Sequence, residues 1–165
     1  MKKNKGVAAI ALSFVLDNLL AVILSLICVS VFGIILDTKF DIIVYVINAF
    51  IFAFLMYHQA WNFGVHDLEN KSGNRLAVVA SGSVIAVIPN WIMAVISVSG
   101  VEIVKKVFCI WNFPLAMEDA YLTAYPFLYV IPCITIPVIA IVGYILGYKR
   151  IKLIDYLYYE RDKKE

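Results

Sequence analysis

The chain alternates long apolar blocks with short polar stretches. Apolar residues dominate four blocks, at residues 7–36, 40–62, 76–98 and 123–148. An α-helix needs about 20 apolar residues to cross roughly 30 Å of hydrocarbon, and each block is at least that long. The pattern predicts an all-α polytopic membrane protein with four transmembrane helices, built as one transmembrane domain over residues 1–165.

Composition favours the same class. The sequence is 63% hydrophobic and 16% charged, whereas soluble domains are typically about 25% charged. A soluble domain of this size has too little interior to bury so much apolar surface. The first block is also longer than the 7–15 apolar residues of a secretory signal, so we interpret it as a retained first span.

Two further segments have the pattern of helices at a membrane surface. In residues 101–112 the apolar positions 103, 104, 107, 108 and 111 share one helical face, opposite two lysines. This amphipathic pattern predicts a helix lying on the membrane surface. The charged, tyrosine-rich tail, residues 149–165, is predicted to begin as another interfacial helix, and residues 64–75 are predicted to form a polar loop.

The basic residues are divided unequally between the two sides of this topology. With four spans, the N-terminus, the 64–75 loop and the tail share one side and hold 11 of the 14 lysines and arginines. The other side holds Lys39, Lys105 and Lys106. Because basic residues are retained in the cytoplasm, the N-terminus and the C-terminus are both predicted to be cytoplasmic.

Asp17, followed by Asn18, interrupts the first block. An ionisable residue inside a span costs a few kcal/mol at the helix centre and therefore marks a functional candidate. One interpretation is a proton or cation site, or a contact with a partner subunit. The other places both residues at the cytoplasmic boundary, where the carboxylate keeps its water.

A second polar group comprises Asn48, His58, Gln59 and Asn90. Asn48 and Gln59 are 11 residues apart, close to three helical turns, so they lie on one stripe, while His58 is rotated by about 100°. This stripe is predicted to face Asn90 or a water-filled path, which would form an intramembrane transport site. The alternative is ordinary hydrogen bonding between helices.

Small residues mark the predicted contacts between helices. Gly143 and Gly147 form a GxxxG pattern on the fourth span, and Ser81 and Gly82 lie in the third. Such residues let two helix backbones approach closely. We therefore predict helix packing at all four positions.

The sequence lacks the motifs that mark catalytic, phosphate-binding and metal-binding sites. It contains no GxSxG, no glycine-rich phosphate loop and no HExxH or EF-hand spacing. Its three cysteines include no CxxC pair. We predict a protein that is not an enzyme, with no catalytic residues, no metal site, no cofactor and no nucleic-acid partner.

Two stretches of the sequence are similar to a known class of membrane proteins. Residues 61–67, Trp-Asn-Phe-Gly-Val-His-Asp, and residues 143–159 resemble uncharacterised small four-helix integral membrane proteins of Gram-positive bacteria. The resemblance covers these two stretches, 24 of the 165 residues. It implies a bacterial cytoplasmic membrane and brings no activity with it.

These patterns support two functions. The first is a non-enzymatic membrane subunit or accessory protein, which would act through helix–helix and membrane-surface contacts. Its partners would be the lipid bilayer and either further copies of itself, as a homo-oligomer, or another membrane subunit. The alternative is a small channel or transporter that uses the intramembrane polar residues, as an oligomer because four helices enclose little volume.

Overall fold

The computed structural model describes residues 6–35, 41–115, 122 and 125–151, and this part of the chain is helical with no strand. The helices are α1 (Val7–Ile35), α2 (Asp41–Glu69), α3 (Leu76–Val98), α4 (Glu102–Trp111), a 3-10 helix (Pro126–Tyr129) and α5 (Val130–Tyr148). Four segments are long and apolar enough to cross a membrane: Val7–Val31, Ile43–Glu69, Leu76–Val98 and Pro126–Tyr148. The predicted all-α fold with four spans is confirmed.

The four spans form a closed ring in the order α1, α2, α5, α3. Contacts between neighbours in this order are extensive, whereas α2 and α3 barely touch. We call the end that holds Gly6, residues 70–75 and Ile151 the basic end, and the end around Gly100 the far end. α1 and α3 run toward the far end, and α2 and α5 run toward the basic end.

α2 ends seven residues later than predicted, because it continues from Asn62 to Glu69 through part of the expected polar loop. It ends in a motif that satisfies its last carbonyl groups. Lys71 has a φ of 51°, and the backbone N–H groups of Lys71 and Ser72 donate to Leu68 O and Asp67 O at 3.2 and 3.0 Å. This is the Schellman arrangement of a helix end, and it keeps the polar residues before it helical.

The closest helix contact joins α2 and α5 through glycines. A Cβ at Gly143 would lie 2.9 Å from Tyr57 O, and one at Gly64 would lie 2.6 Å from Tyr148 N. A Cβ at Gly147 would collide with the backbone of Trp61. Lipid is as apolar as these side chains, so helices in a bilayer gain most from such close approach.

The small residues of α3 behave differently from one another. Gly82 packs against Ile10 of α1, where a Cβ would lie 2.6 Å from Ile10 Cγ2. Ser81 is exposed, so its predicted role in helix packing is wrong. One residue corresponds to about 100° of rotation, which turns Ser81 away from α1, and it is Ser83 that is buried.

The surface of the spans is apolar around the bundle. Large apolar side chains are exposed on every span, including Leu12, Phe50, Val95 and Val138. The interior holds Phe14, Phe52, Met56, Val79 and Tyr144, among others. An exposed apolar surface of this extent needs a bilayer around it.

α4 has the predicted bounds within one residue, but it does not lie along the surface as expected. Its last turn reaches the middle of α1 and α3, where Trp111 O is 3.1 Å from Asn18 Nδ2. Ten residues of helix span about 15 Å, half of a bilayer's hydrocarbon. α4 therefore packs back along α3 from the far end, and we call α4 with residues 112–115 the re-entrant segment.

The two lysines of α4, which the pattern placed together opposite the apolar positions, differ in burial, because Lys106 is exposed and Lys105 is not. Lys105 is only 7% exposed and Phe108 is fully buried, whereas Ile103 is 76% exposed, with Val107 and Ile110 also on the outside. Lys105 lines a cavity of about 160 Å³ at the far end.

Part of the predicted topology lies outside the described residues. This applies to residues 152–165 of the tail, with its expected interfacial helix, and to residues 123 and 124 of the fourth span.

Candidate functional site

A cluster of amides lies where α4 ends inside the bundle. Asn90 Nδ2 on α3 donates to Asn112 Oδ1 at 3.0 Å, and Asn18 Nδ2 on α1 donates to Trp111 O at 3.1 Å. Asn90 is 14 residues after the start of α3 and eight before its end, about 21 and 12 Å at 1.5 Å per residue. We call Asn18, Asn90 and Asn112 the mid-depth amides.

The mid-depth amides satisfy a backbone that leaves its helix inside the bundle. Residues 112–115 form turns after α4, and irregular backbone at this depth must be buried in protein and hydrogen-bonded. Asn112 Nδ2 donates to Phe108 O at 3.1 Å, and Tyr45 OH on α2 donates to Leu115 O at 3.3 Å. Side chains of α1, α2 and α3 therefore converge on the re-entrant segment and hold it in place.

The mid-depth amides retain unused hydrogen-bonding capacity. Asn90 is 1% exposed and Asn112 is 3% exposed. The Oδ1 atoms of Asn18 and Asn90 are buried and accept no hydrogen bond from the described residues. Most buried polar atoms find a partner, so these two oxygens are the unusual feature of the cluster.

Asp17 lies well inside α1. It is ten residues after Val7, about 15 Å along the helix axis, and its side chain is half-buried. This depth matches Asn18 beside the end of α4 and does not match a position at the end of the span.

A second polar network closes the basic end of the bundle. Tyr144 OH on α5 donates to Asp67 Oδ2 at 3.0 Å, and the backbone N–H of Arg75 donates to Tyr144 Oη at 2.7 Å. Asp67 is 5% exposed, and its Oδ1 lies 3.6 Å from Arg75 Nη1 and 3.8 Å from His66 Nδ1. The network ties α2, α3 and α5 together, and the compensating charge of Arg75 lets a carboxylate be buried.

A cavity of about 190 Å³ lies beside this network. Its polar lining comprises Gln59, Asn62, His66, Asp67 and Arg75. Its apolar lining comprises Ile10, Phe63 and Val79. Asn62 is exposed and the His66 side chain is 34% exposed, so solvent reaches the cavity from the basic end.

The α2 wall of this cavity carries free polar groups. Gln59, Asn62 and His66 are spaced i, i+3 and i+7, which places them on one helical face. Within the part of the chain that the structure describes, the amides of Gln59 and Asn62 make no hydrogen bond. This cavity therefore offers donors and acceptors that no helix contact uses.

His58 faces away from the bundle. It is exposed and stacks on Phe54 with ring centroids 6.0 Å apart, while Phe54 stacks on Phe50 at 6.5 Å. We call Phe50, Phe54 and His58 the outer ladder of α2. The imidazole has no hydrogen-bond partner among the described residues, and it lies one turn before Trp61, within a candidate span.

The residues predicted to form one intramembrane site are thus distributed over separate places. Asn90 belongs to the mid-depth amides, Gln59 lines the basic-end cavity and His58 lies on the outside of α2. Asn48 is buried in α2, and its Oδ1 accepts no hydrogen bond from the described residues. The structure does not bring these four side chains together in one cavity.

Several residues of these sites were not singled out from the sequence. Tyr144 lies between Gly143 and Gly147 in the sequence, where the pattern of the glycines gives no signal for it. Asp67 and Arg75 lie in a stretch predicted to be a loop. Asn112 has a recognisable signal, since it ends an amphipathic segment two residues before Pro114. Among the described residues, no three His, Cys, Asp or Glu side chains are grouped to hold a metal ion.

Comparison with known proteins adds no further assignment. No protein-family model, no curated protein and no solved structure matches the chain.

Proposed function

We propose that this protein is a non-enzymatic subunit or accessory protein of a bacterial cytoplasmic membrane, with both termini in the cytoplasm. It acts by binding another transmembrane helix, supplied by a second copy or by a different membrane protein. The support for a multi-pass membrane protein is the set of four apolar spans. The support for the orientation is the excess of lysine and arginine at the basic end.

The outer ladder of α2 carries this proposal. Histidines inside spans nearly always face the protein interior or a water-filled cavity, because an imidazole N–H without a partner is costly in lipid. His58 instead points outward at the end of a row of exposed aromatic rings, with Phe50 70% exposed. A helix that packs on this row would give the imidazole a polar partner and bury the two phenylalanine rings.

The interior of the bundle supports the same function. The mid-depth amides form hydrogen bonds at the end of α4, and Asp67 accepts a hydrogen bond from Tyr144. Interhelical hydrogen bonds therefore account for much of the buried polar chemistry, which is the behaviour of a scaffold.

Site-specific photocrosslinking in native membranes tests the proposal. A photoreactive phenylalanine analogue at Phe54 should give a protein adduct of discrete mass, and His58→Leu should reduce its yield. The matched control is the same analogue at Val95 of α3, which is 65% exposed and should crosslink only to lipid. Lipid adducts alone at both positions would contradict the proposal.

A specific observation also favours a second candidate, a small channel or transporter. A half-helix ending in the bundle beside buried, unsatisfied amide oxygens resembles the discontinuous helices that frame transport sites, and Asp17 lies at the same depth. For a transporter, Asp17→Asn should abolish ion flux in liposomes while the protein yield is unchanged. A scaffold should give no flux with either protein.

A further inference from the structure

The basic-end cavity has the features of a ligand site that the scaffold does not use. Its volume, about 190 Å³, is several times the roughly 30 Å³ that one water takes up in the liquid, and so admits several waters. A small organic molecule with a similar number of non-hydrogen atoms fits this space. Three of the four spans, α1, α2 and α3, contribute to the lining.

Arg75 and Asp67, two charged residues of the lining, form an ion pair without a short hydrogen bond. Arg75 Nη1 and Asp67 Oδ1 are 3.6 Å apart, whereas a charge-assisted hydrogen bond between such groups is about 2.7–2.9 Å. The Asp67 carboxylate keeps lone pairs beyond those used by Tyr144. The guanidinium and the carboxylate therefore present one positive and one negative group side by side.

This pairing selects the charge of the ligand. A simple anion or cation would add an uncompensated charge next to a residue that is 5% exposed, and such burial is expensive. A zwitterion places its carboxylate against Arg75 and its ammonium against Asp67, so it adds no net charge to the site. The amides of Gln59 and Asn62, as both donors and acceptors, serve either group.

The apolar lining selects the rest of the molecule. Ile10, Phe63 and Val79 belong to the lining of the cavity and offer an aliphatic chain apolar surface. Burial of each methylene contributes about 0.8 kcal/mol.

We propose that the basic-end cavity binds a small zwitterion of the α-amino acid class with an aliphatic side chain. The charged head contacts Arg75 and Asp67, the amides of Gln59 and Asn62 complete its hydrogen bonds, and the side chain packs on Ile10, Phe63 and Val79. This inference is independent of the helix contact proposed for the outer ladder.

Calorimetric titration of the purified full-length protein in nanodiscs tests this inference, with leucine as the probe. The comparison ligands are 4-methylpentanoate, which lacks the ammonium, and isoamylamine, which lacks the carboxylate. We expect leucine to bind and each analogue to bind about tenfold or more weakly, since each lacks one of the two charged groups that contact the lining and adds a net charge to the cavity. Equal binding of the monocarboxylate, or no leucine binding at millimolar concentrations, would overturn the proposal.

Two variants test whether leucine binds in this cavity. Gln59→Leu and Asn62→Leu each remove an amide that makes no structural hydrogen bond, so the fold should be retained and the leucine affinity should fall about tenfold. Asn48→Leu is the matched control, because it makes the same chemical change on α2 outside the cavity, and it should leave the affinity unchanged. An equal loss in all three variants, or none in the two cavity variants, would overturn the assignment of the site.

Discussion

The Tyr144 hydroxyl donates a 3.0 Å hydrogen bond to Asp67 Oδ2 across 77 residues of sequence. The same hydroxyl oxygen accepts the backbone N–H of Arg75 at 2.7 Å, so one phenol connects α2, the start of α3 and α5. Tyr144 is 1% exposed, and a buried acceptor such as Asp67 depends on its donor. This contact is therefore the main polar tie at the basic end.

Tyr144→Phe should lower the free energy of unfolding by about 1–3 kcal/mol, because it leaves Asp67 Oδ2 and the Arg75 N–H without their partner. Unfolding in mixed detergent micelles measures this loss. Tyr148→Phe is the control, since Tyr148 stacks on Tyr144 at 6.0 Å and its hydroxyl makes no hydrogen bond among the described residues. Equal losses in the two variants would show that the hydrogen bonds of Tyr144 do not stabilise the fold.

Gly147→Ile should separate α2 from α5. A side chain at this position meets the backbone of Trp61, and a backbone cannot move aside as the end of a side chain can. We expect a loss of about 1–3 kcal/mol or more, seen as a lower melting temperature in detergent, and a similar loss for Gly143→Ile.

Gly6→Ile is the control for the glycine contact, because no atom lies within 4 Å of a Cβ built there. It should melt like the unchanged protein. A Gly147→Ile protein with an unaltered melting temperature would contradict the close contact of α2 and α5.

A double-mutant cycle on Asn90 and Asn112 measures how firmly the end of α4 is held. Asn90→Leu leaves Asn112 Oδ1 without its donor, and Asn112→Leu does the reverse. The double variant should lose less than the sum of the single variants, with a coupling of about 0.6 kcal/mol, the average for hydrogen bonds between membrane helices, and at most about 1.7 kcal/mol. Additive losses would mean that the two amides do not stabilise each other.

The orientation is testable by cysteine labelling of intact cells, in a background without Cys28, Cys109 and Cys133. Cysteines at Glu102 and Asp37 should react with a membrane-impermeant reagent. Cysteines at Lys71 and Lys163 should react only after permeabilisation, because the basic side is retained in the cytoplasm. Labelling at Lys71 in intact cells would show that the orientation is opposite to the predicted one.

The sequence alone predicted the elements whose causes are local. A span is recognised from about 20 consecutive apolar residues, and the predicted range 76–98 coincides with α3. The bounds of α4 followed in the same way from helical periodicity. Gly143 and Gly147 were identified because two glycines four residues apart leave a groove on a helix wherever it packs.

The sequence could not predict what depends on a partner distant along the chain. The pattern of α4 gives one apolar side and one charged side, but whether that helix lies on the bilayer or enters the bundle depends on Asn18 and Asn90, on other helices. The burial of Asp67 near the end of α2 depends likewise on a distant partner, since its hydrogen-bond donor, Tyr144, lies 77 residues away.

Composition and periodicity thus determined that the chain crosses a membrane four times, because each span satisfies its own backbone and needs only apolar side chains to enter lipid. Only the tertiary structure decided which polar residues meet. Rotation by one residue turns a helical side chain by about 100°, which separates His58 on the outside of α2 from Gln59 in the cavity. That rotation is fixed by packing between glycines and neighbouring backbones, a property of helix pairs that no single helix carries.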